Sequence, residues 1–164
     1  MGAWTVRELD LADAAACDDV IETLPYFFGQ AAGIAECAAA VRSQRGLVAV
    51  DSAGQIVAFL TYASHHPTSA EITWMAVRQD RRRRVVGRRL LEELDDKLSG
   101  AGVHLLFVIT LGPSVQEPGV SDGYAGTRRF YEAVSFVPLK ELDAWGPDSS
   151  GIIVVRVTKG GRAA

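Results

Sequence analysis

Apolar residues recur along the chain with two spacings, about two residues and about 3.6 residues, which predict strands and helices respectively. The first spacing, or a continuous apolar run, predicts strands at Trp4–Leu9, Leu47–Asp51, Gln55–Tyr62, Glu71–Val77, Val103–Thr110, Phe136–Leu142 and Ile152–Thr158. The second predicts helices from Asp10 or Asp13 to about Glu22, at Ile34–Ser43, between Gly87 and Gly100, and at Gly126–Val134. The chain therefore mixes both kinds of element.

The segment after Gly87 has the clearest amphipathic pattern. Its leucines recur every four residues, which predicts a buried stripe. Its acidic residues are expected to face away from that stripe: Glu92, Glu93, Asp95 and Asp96. Val103–Thr110 is too continuously apolar for a half-exposed strand, so we expect it in the middle of a sheet. Together with Glu71–Val77 it forms a strand–helix–strand unit, which predicts a parallel pair with a right-handed crossover.

The remaining segments are predicted to be loops. His65–Ser69 should connect two strands, and Leu111–Gly123, with two prolines and three glycines, should form a surface loop. The tail Gly160–Ala164 is expected to fray. A chain of 164 residues is long enough for one hydrophobic core, so residues 1–164 are predicted to be a single domain.

Composition narrows the setting in which the protein works. The chain is 48% hydrophobic and 23% charged, as soluble globular proteins are. Cys17 and Cys37 lack metal-ligand spacing, so neither a disulfide framework nor a metal site is expected. No targeting segment is visible, and no apolar run approaches the roughly 20 residues needed to cross a bilayer. We therefore expect a cytoplasmic protein without a membrane partner.

Positive charge is concentrated in one segment, Val77–Leu91. It holds seven of the 17 basic residues, whereas the chain as a whole carries a net charge of −3. An apolar strand runs into four successive arginines, and Gly87 then precedes the leucine-rich helix. Backbone N–H groups at a helix N-terminus attract phosphate, and guanidinium groups strengthen that preference. A local polyanion site fits this single basic island better than nucleic-acid binding, which usually requires a broad basic face.

Three segments resemble motifs of the GNAT superfamily of acyl-CoA-dependent N-acetyltransferases. Arg82–Gly87 is similar to the family's pyrophosphate loop, Gln/Arg-x-x-Gly-x-Gly/Ala. Ala70–Val77 is similar to the strand that precedes this loop. Arg128–Val137 resembles the signature Arg-x-Phe-Tyr-x-x-x-Gly-Phe. The resemblance implies an α/β (α+β) fold whose central mixed sheet has about six to seven strands. That sheet would be mostly antiparallel, with a parallel pair at the CoA site and helices on both faces.

The resemblance also implies an N-acetyltransferase site for acetyl-CoA as co-substrate, without a metal. Glu71 would be the general base, the Met75 N–H would polarise the thioester carbonyl, and Tyr131 would be the general acid. The residues implied to hold the cofactor are Met75, Ala76, Val77, Arg82, Arg83, Arg84, Val85, Val86, Gly87 and Arg88. Two positions depart from the motifs, because Val85 replaces the first loop glycine and Ser135 replaces the glycine of the third signature.

Several alternatives stay open at this stage. Glu71 could be a solvated residue at the start of a strand, and His65 or His66 could supply the base instead. The chain could also be a non-catalytic acyl-CoA-binding module or an arginine-rich nucleic-acid contact. The acceptor, a small-molecule or peptide amine, would lie among Leu24–Gly29, the loop around His65 and Leu111–Gly123. Tyr26, Phe27 and Phe28 could wall that cleft or simply pack a loop onto the core. A homodimer is one option for the oligomeric state.

Overall fold

The computed structural model describes residues 4–28, 31–82, 85–114, 123–145 and 150–162. Its strands are β1 (Thr5–Glu8), β2 (Arg45–Val50), β3 (Ile56–His66), β4 (Ser69–Val77), β5 (Leu105–Leu111), β6 (Val137–Leu142) and β7 (Gly151–Val157). Its helices are α1 (Ala14–Glu22), α2 (Ala31–Ser43), α3 (Val86–Gly100) and α4 (Ala125–Ala133). Short 3-10 turns occupy Leu11–Asp13, Gln79–Arg81 and Gly160–Arg162.

All seven strands form one sheet in the order β1-β2-β3-β4-β5-β7-β6. Only β4 and β5 pair in parallel, and each of the other neighbouring pairs is antiparallel. Helix α3 connects the parallel pair, as the strand–helix–strand pattern requires. The predicted fold class is confirmed, including the central position of β5.

Two apolar cores lie on opposite faces of this sheet. On one face, leucines of α3 and residues of α4 pack against Leu60, Ile72 and Leu106. On the other face, α1 and α2 pack against Val48, Phe59 and Ala76. Strand β3 is buried from Ile56 to Tyr62 because helices cover both of its faces. Phe59 and Leu60, which are adjacent on β3, therefore point into different cores.

The predicted exposure of Asp95 is wrong. We expected it to face solvent with the other acidic residues of α3, but only 5% of it is exposed. It lies one helical turn from both Leu91 and Leu98, so it falls on the buried stripe. Its Oδ2 accepts a hydrogen bond from Arg156 Nη2 at 2.9 Å, and its Oδ1 accepts one from the Lys159 N–H at 2.9 Å. A buried cation on β7, which the helical pattern does not reveal, compensates this carboxylate.

Two segments predicted to be irregular are more ordered than expected. The connection at His65–Ser69 is a tight turn, since β3 continues to His66 and β4 begins at Ser69. The tail was expected to fray from Gly160, yet Gly160–Arg162 form a 3-10 turn. The Gly160 N–H donates to Ser99 Oγ at 3.0 Å, which ties this turn to the end of α3. None of the helices described here is long and apolar enough to cross a membrane.

Candidate active site

The central feature of the site is a gap between β4 and β5. The parallel ladder joins Ser69–Ile72 to Leu105–Val108 and ends there. Beyond that point β4 continues with β3 as far as Val77, while β5 continues with β7 as far as Leu111. The two strands thus separate after Ile72, and the facing edges of Thr73–Val77 and Ile109–Leu111 form what we call the β4–β5 gap.

The Met75 N–H points into this gap. The Arg78 N–H donates to the Val57 carbonyl at 2.9 Å. This bond shows which residues of β4 form hydrogen-bonded pairs with β3 and which form non-hydrogen-bonded pairs. Because antiparallel pairs alternate, Ala76 and Trp74 bond to β3, whereas Met75 and Val77 direct their backbone groups to the opposite side. A backbone donor aimed at an open strand edge is available to a carbonyl oxygen of a bound molecule.

A bulge at Thr73 marks the start of the gap. Register between β3 and β4 shifts here, since Thr61 pairs with Trp74 whereas Tyr62 pairs with Ile72. The Thr73 hydroxyl donates to Gln44 Oε1 at 2.5 Å and lies 2.8 Å from the Thr61 hydroxyl. These side-chain contacts give the extra residue hydrogen-bond partners that the ladder does not supply. Neither Gln44 nor Thr61 carried a sequence signal for this role.

Tyr131 lies on the α3 side of the sheet, and the end of α4 holds it there. Helix α4 ends in a Schellman motif in which the Phe136 N–H donates to the Tyr131 carbonyl at 2.9 Å. The motif requires a left-handed residue, which is Ser135 with φ 69°. Ring contacts with Phe130 and Phe136 enclose the phenol, which is 5% exposed. Burial raises the pKa of Tyr131 well above its usual range, so the phenol keeps its proton at neutral pH.

Glu71 lies on the opposite face of the same sheet. Its neighbours Ala70 and Ile72 point into the core that contains Tyr131, so alternation turns Glu71 the other way. Its carboxylate Oε2 lies 2.5 Å from His65 Nε2, and its side chain is 20% exposed. His66, one residue further along β3, instead contacts the Thr68 hydroxyl at 3.2 Å. The two predicted catalytic residues therefore lie on opposite faces of the sheet.

The described arginines of the arginine-rich segment contact different parts of the molecule. Arg78 contacts Asp80 at 3.2 Å, Arg81 contacts Asp51 at 3.4 Å and Arg89 contacts Glu93 at 2.7 Å. Arg82 lies over the ring of Phe27, 4.1 Å from its centroid. Arg88 Nη2 donates to the Ala133 carbonyl at 3.5 Å, at the end of α4. The predicted cofactor residues Arg83 and Arg84 lie outside the described part of the chain.

The start of α3 shows how the loop accommodates its departures from the motif. Val85 precedes α3 with an ordinary helical backbone, φ −67°, and its side chain is 63% exposed, so nothing there demands a glycine. Val86 turns its side chain into the core and leaves only its backbone to a cofactor. Gly87 is closely packed, because an added Cβ would lie 3.2 Å from both Met75 Cε and Phe130 Cζ. The two remaining residues of the predicted cofactor set, Ala76 and Val77, belong to the β4 edge of the gap.

An aromatic cluster joins the loop after α1 to the arginine segment and to α4. The Tyr124 hydroxyl donates to the Phe27 carbonyl at 3.1 Å, and the two rings meet edge to face. Burial raises the pKa of Tyr124. Phe28 packs near Trp74 of β4, 5.9 Å between ring centroids. The run Tyr26–Phe28 signalled a cleft wall in the sequence, whereas Tyr124 was missed because it follows a turn-rich loop.

No group of three His, Cys, Asp or Glu side chains suited to a metal ion occurs within the described residues. Cys17 and Cys37 are both free thiols and fully buried between α1 and α2. Burial raises the pKa of each thiol to about 12, which leaves them protonated and unreactive in the folded protein.

Comparison with known proteins now identifies the family. The profile of the acetyltransferase (GNAT) domain matches residues 42–138. A GNAT-family protein from Desulfovibrio desulfuricans shares 22% identity with a TM-score of 0.80, covering 94% of this chain and 99% of its own. The ribosomal-protein-S18-alanine N-acetyltransferase of Escherichia coli shares 19% identity with a TM-score of 0.73, and the match covers 95% of this chain and 94% of that protein. The yncA protein of Salmonella typhimurium was solved with its cofactor acetyl-CoA. It shares 16% identity with a TM-score of 0.66, and the match covers 94% of each chain.

No curated protein shows significant sequence similarity to the chain. The domain match spans more than half of the chain and includes β4, the arginine segment and α4, which carry the three motifs. The solved structures agree with the chain over nearly its full length, and they do so in fold rather than in sequence. The family predicted from those motifs is thus confirmed, and the chain belongs to the GNAT family of acetyltransferases.

Proposed function

We propose that the protein transfers an acetyl group from acetyl-CoA to a primary amine, with donor and acceptor bound together. The observation that carries this proposal is the β4–β5 gap, with the Met75 N–H aimed into it and with a carboxylate and a phenol on opposite faces of the same sheet. Acetyl-CoA would supply an activated carbonyl and a thiolate leaving group. Relatives solved with CoA or acetyl-CoA support this choice of co-substrate.

Each reactive group has a definite task in the transfer. Glu71 takes a proton from the incoming ammonium, so that the nitrogen becomes nucleophilic. The Met75 N–H donates to the carbonyl oxygen as that oxygen gains negative charge. Tyr131 donates its proton to the departing sulfur, a task that suits a buried phenol which is still protonated at neutral pH. The backbone at the start of α3, together with Arg82 and Arg88, would hold the pyrophosphate.

The acceptor would approach on the face that carries Glu71. The wall formed by Phe27, Phe28 and Trp74 lies on this face, beside the gap. We propose a small-molecule or peptide amine as acceptor, and neither a nucleic acid nor a membrane as partner. Two free buried thiols fit a reducing cytoplasmic compartment. The exposed apolar residues Val137 and Leu139 on the edge strand β6 are compatible with a homodimer.

A thiol-release assay tests this proposal. The protein is supplied with acetyl-CoA and a panel that includes lysine, benzylamine, kanamycin and a tripeptide with a free N-terminus. We expect amine-dependent release of CoA, with the acetylated amine detected by mass spectrometry. Calorimetry with acetyl-CoA alone separates the outcomes, because tight binding without release from any amine would indicate a non-catalytic binding module. Salt-sensitive binding to oligonucleotides without CoA binding would overturn the proposal altogether.

A further inference from the structure

His65 stands between Glu71 and solvent. Its Nε2 lies 2.5 Å from Glu71 Oε2, and its side chain is 55% exposed, against 20% for Glu71. Its ring lies 6.0 Å from that of Phe107, the residue paired with Glu71 across β4 and β5. The imidazole thus contacts the carboxylate at one nitrogen while much of the ring meets water. This contact leaves Oε1 of Glu71 for an amine.

The proton balance of acetyl transfer requires an exit of this kind. An ammonium nitrogen loses two protons on becoming an amide, and the departing thiolate takes up one. One proton per turnover must therefore reach solvent. Tyr131 is only 5% exposed and lies on the other face of the sheet, so it has no comparable path to water. Of the two protons that the nitrogen loses, Glu71 would take one, and the other would restore the Tyr131 phenol, which has given its own proton to the sulfur. Glu71 must then pass its proton on before it can serve the next turnover.

We propose that His65 is this exit, a proton relay that orients Glu71 and returns it to the carboxylate form within each turnover. The inference rests on the proposed function. Glu71, having taken a proton from the amine, passes it from Oε2 to Nε2 of a ring protonated at Nδ1. The Nδ1 proton then leaves to water. Proton exchange between the exposed ring and solvent restores the starting tautomer, so no other reactant is consumed.

The geometry separates His65 from its neighbour. His66 belongs to the same strand and the same tight turn, yet it contacts the Thr68 hydroxyl rather than a carboxylate. The two histidines therefore form a matched pair for experiment. A role confined to holding the hairpin together predicts similar effects of both substitutions on stability and no dependence on added base.

The test compares His65→Ala and His66→Ala with wild type, using acetyl-CoA and the panel amine that wild type acetylates fastest. We expect kcat to fall about tenfold or more in His65→Ala, with the KM of the amine nearly unchanged. Added imidazole should restore most of the lost rate, while His66→Ala should match wild type with or without imidazole. A rate that imidazole does not restore, or an unchanged rate, overturns the relay.

A second measurement needs no acceptor. In NMR spectra of the imidazole rings, Glu71→Gln should shift the ring signals of His65 and leave those of His66 in place. Unshifted His65 signals overturn the pairing itself. Failure of the proposed function is recognised separately, because wild type would then acetylate no panel amine and the relay would fall with it. Transfer by wild type that His65→Ala leaves intact overturns the relay alone.

Discussion

Two carboxylates of this protein each contact a basic side chain, Asp95 with Arg156 and Glu71 with His65. The first pair is buried and the second is partly exposed, and this difference suits them to different tasks. Asp95 and Arg156 have side chains 7% and 9% exposed, and backbone groups take up much of their remaining hydrogen-bonding capacity. Glu71 and His65 lie at the surface beside a gap in the sheet, and the pair leaves one carboxylate oxygen for other partners. The enclosed pair holds helices to the sheet, whereas the open pair is placed to exchange protons.

Arg156 shows what the enclosed pair does for the site. Its guanidinium donates to Asp95, to the Leu91 carbonyl of α3 and to the Val134 carbonyl at the end of α4. Burial lowers the pKa of Arg156, although the nearby Asp95 carboxylate acts in the opposite direction. The pair therefore holds together the two helices that position Tyr131 and the arginine segment. Asp95 and Arg156 support the chemistry without touching the gap.

The largest expected effect is that of Asp95→Ala. It leaves Arg156 buried without its carboxylate, so we expect the free energy of unfolding to fall by about 3–5 kcal/mol in urea titrations. Asp96→Ala is the matched control, because Asp96 is 59% exposed and should change stability by less than about 0.5 kcal/mol. Glu71→Ala should resemble this control in stability. Equal losses for Asp95→Ala and Glu71→Ala would remove the distinction between the two pairs.

Tyr131→Phe tests whether the buried Tyr131 hydroxyl, which lies on the same face of the sheet as Asp95, serves catalysis. It removes one hydroxyl and keeps the ring packing, so we expect kcat to fall about 100-fold or more, or about 2.7 kcal/mol. Acetyl-CoA affinity and stability should change little. The control is Tyr62→Phe, since the Tyr62 hydroxyl is buried and has no hydrogen-bond partner among the described residues. Unchanged turnover of Tyr131→Phe at saturating substrates would exclude the general-acid role.

Arg82→Ala extends the comparison to the arginine segment. Arg82 lies ahead of α3, over the ring of Phe27, and Arg89 lies within α3 and contacts Glu93 one turn further on. We expect Arg82→Ala to weaken acetyl-CoA binding about tenfold by calorimetry, and Arg89→Ala to weaken it by less than about twofold. A reversed order would place the pyrophosphate further along the helix. Desulfo-CoA can replace acetyl-CoA as the titrant, so that turnover does not contribute heat.

Val85→Gly should have the smallest effect. The valine is exposed and its backbone is helical, so the fold does not require a glycine at this position. We expect the Kd of acetyl-CoA to change by less than about threefold. Tightening of tenfold or more would show that the missing glycine limits cofactor binding. Gly87→Ala provides the contrast, because its Cβ would crowd Met75 and Phe130.

The sequence predicted most of the fold because apolar periodicity and turn residues are local signals. The parallel unit around α3 and the central position of β5 both followed from them. The sequence did not predict features in which distant residues meet. Asp95 was placed on the wrong side because its partner, Arg156, is 61 residues away. The contacts of Gln44 with Thr73 and of Tyr124 with Phe27 likewise join separate segments.

Site residues could be predicted from the sequence only where a family motif specifies the residue type at a position. Motif resemblance selected Glu71 and Tyr131, which lie on opposite faces of one sheet. Resemblance did not distinguish His65 from His66, since both precede the same proline. The geometry of two adjacent turn residues depends on a strand bulge that one sequence does not reveal.

The Met75 amide has a consequence for how this protein can change. The donor at the gap belongs to the backbone, so replacing the methionine side chain leaves the N–H in place. Proline is the exception, because it has no N–H to donate. Position 75 can therefore accept many side chains without loss of this backbone donor. A library that varies Met75 should recover active proteins with many side chains and none with proline.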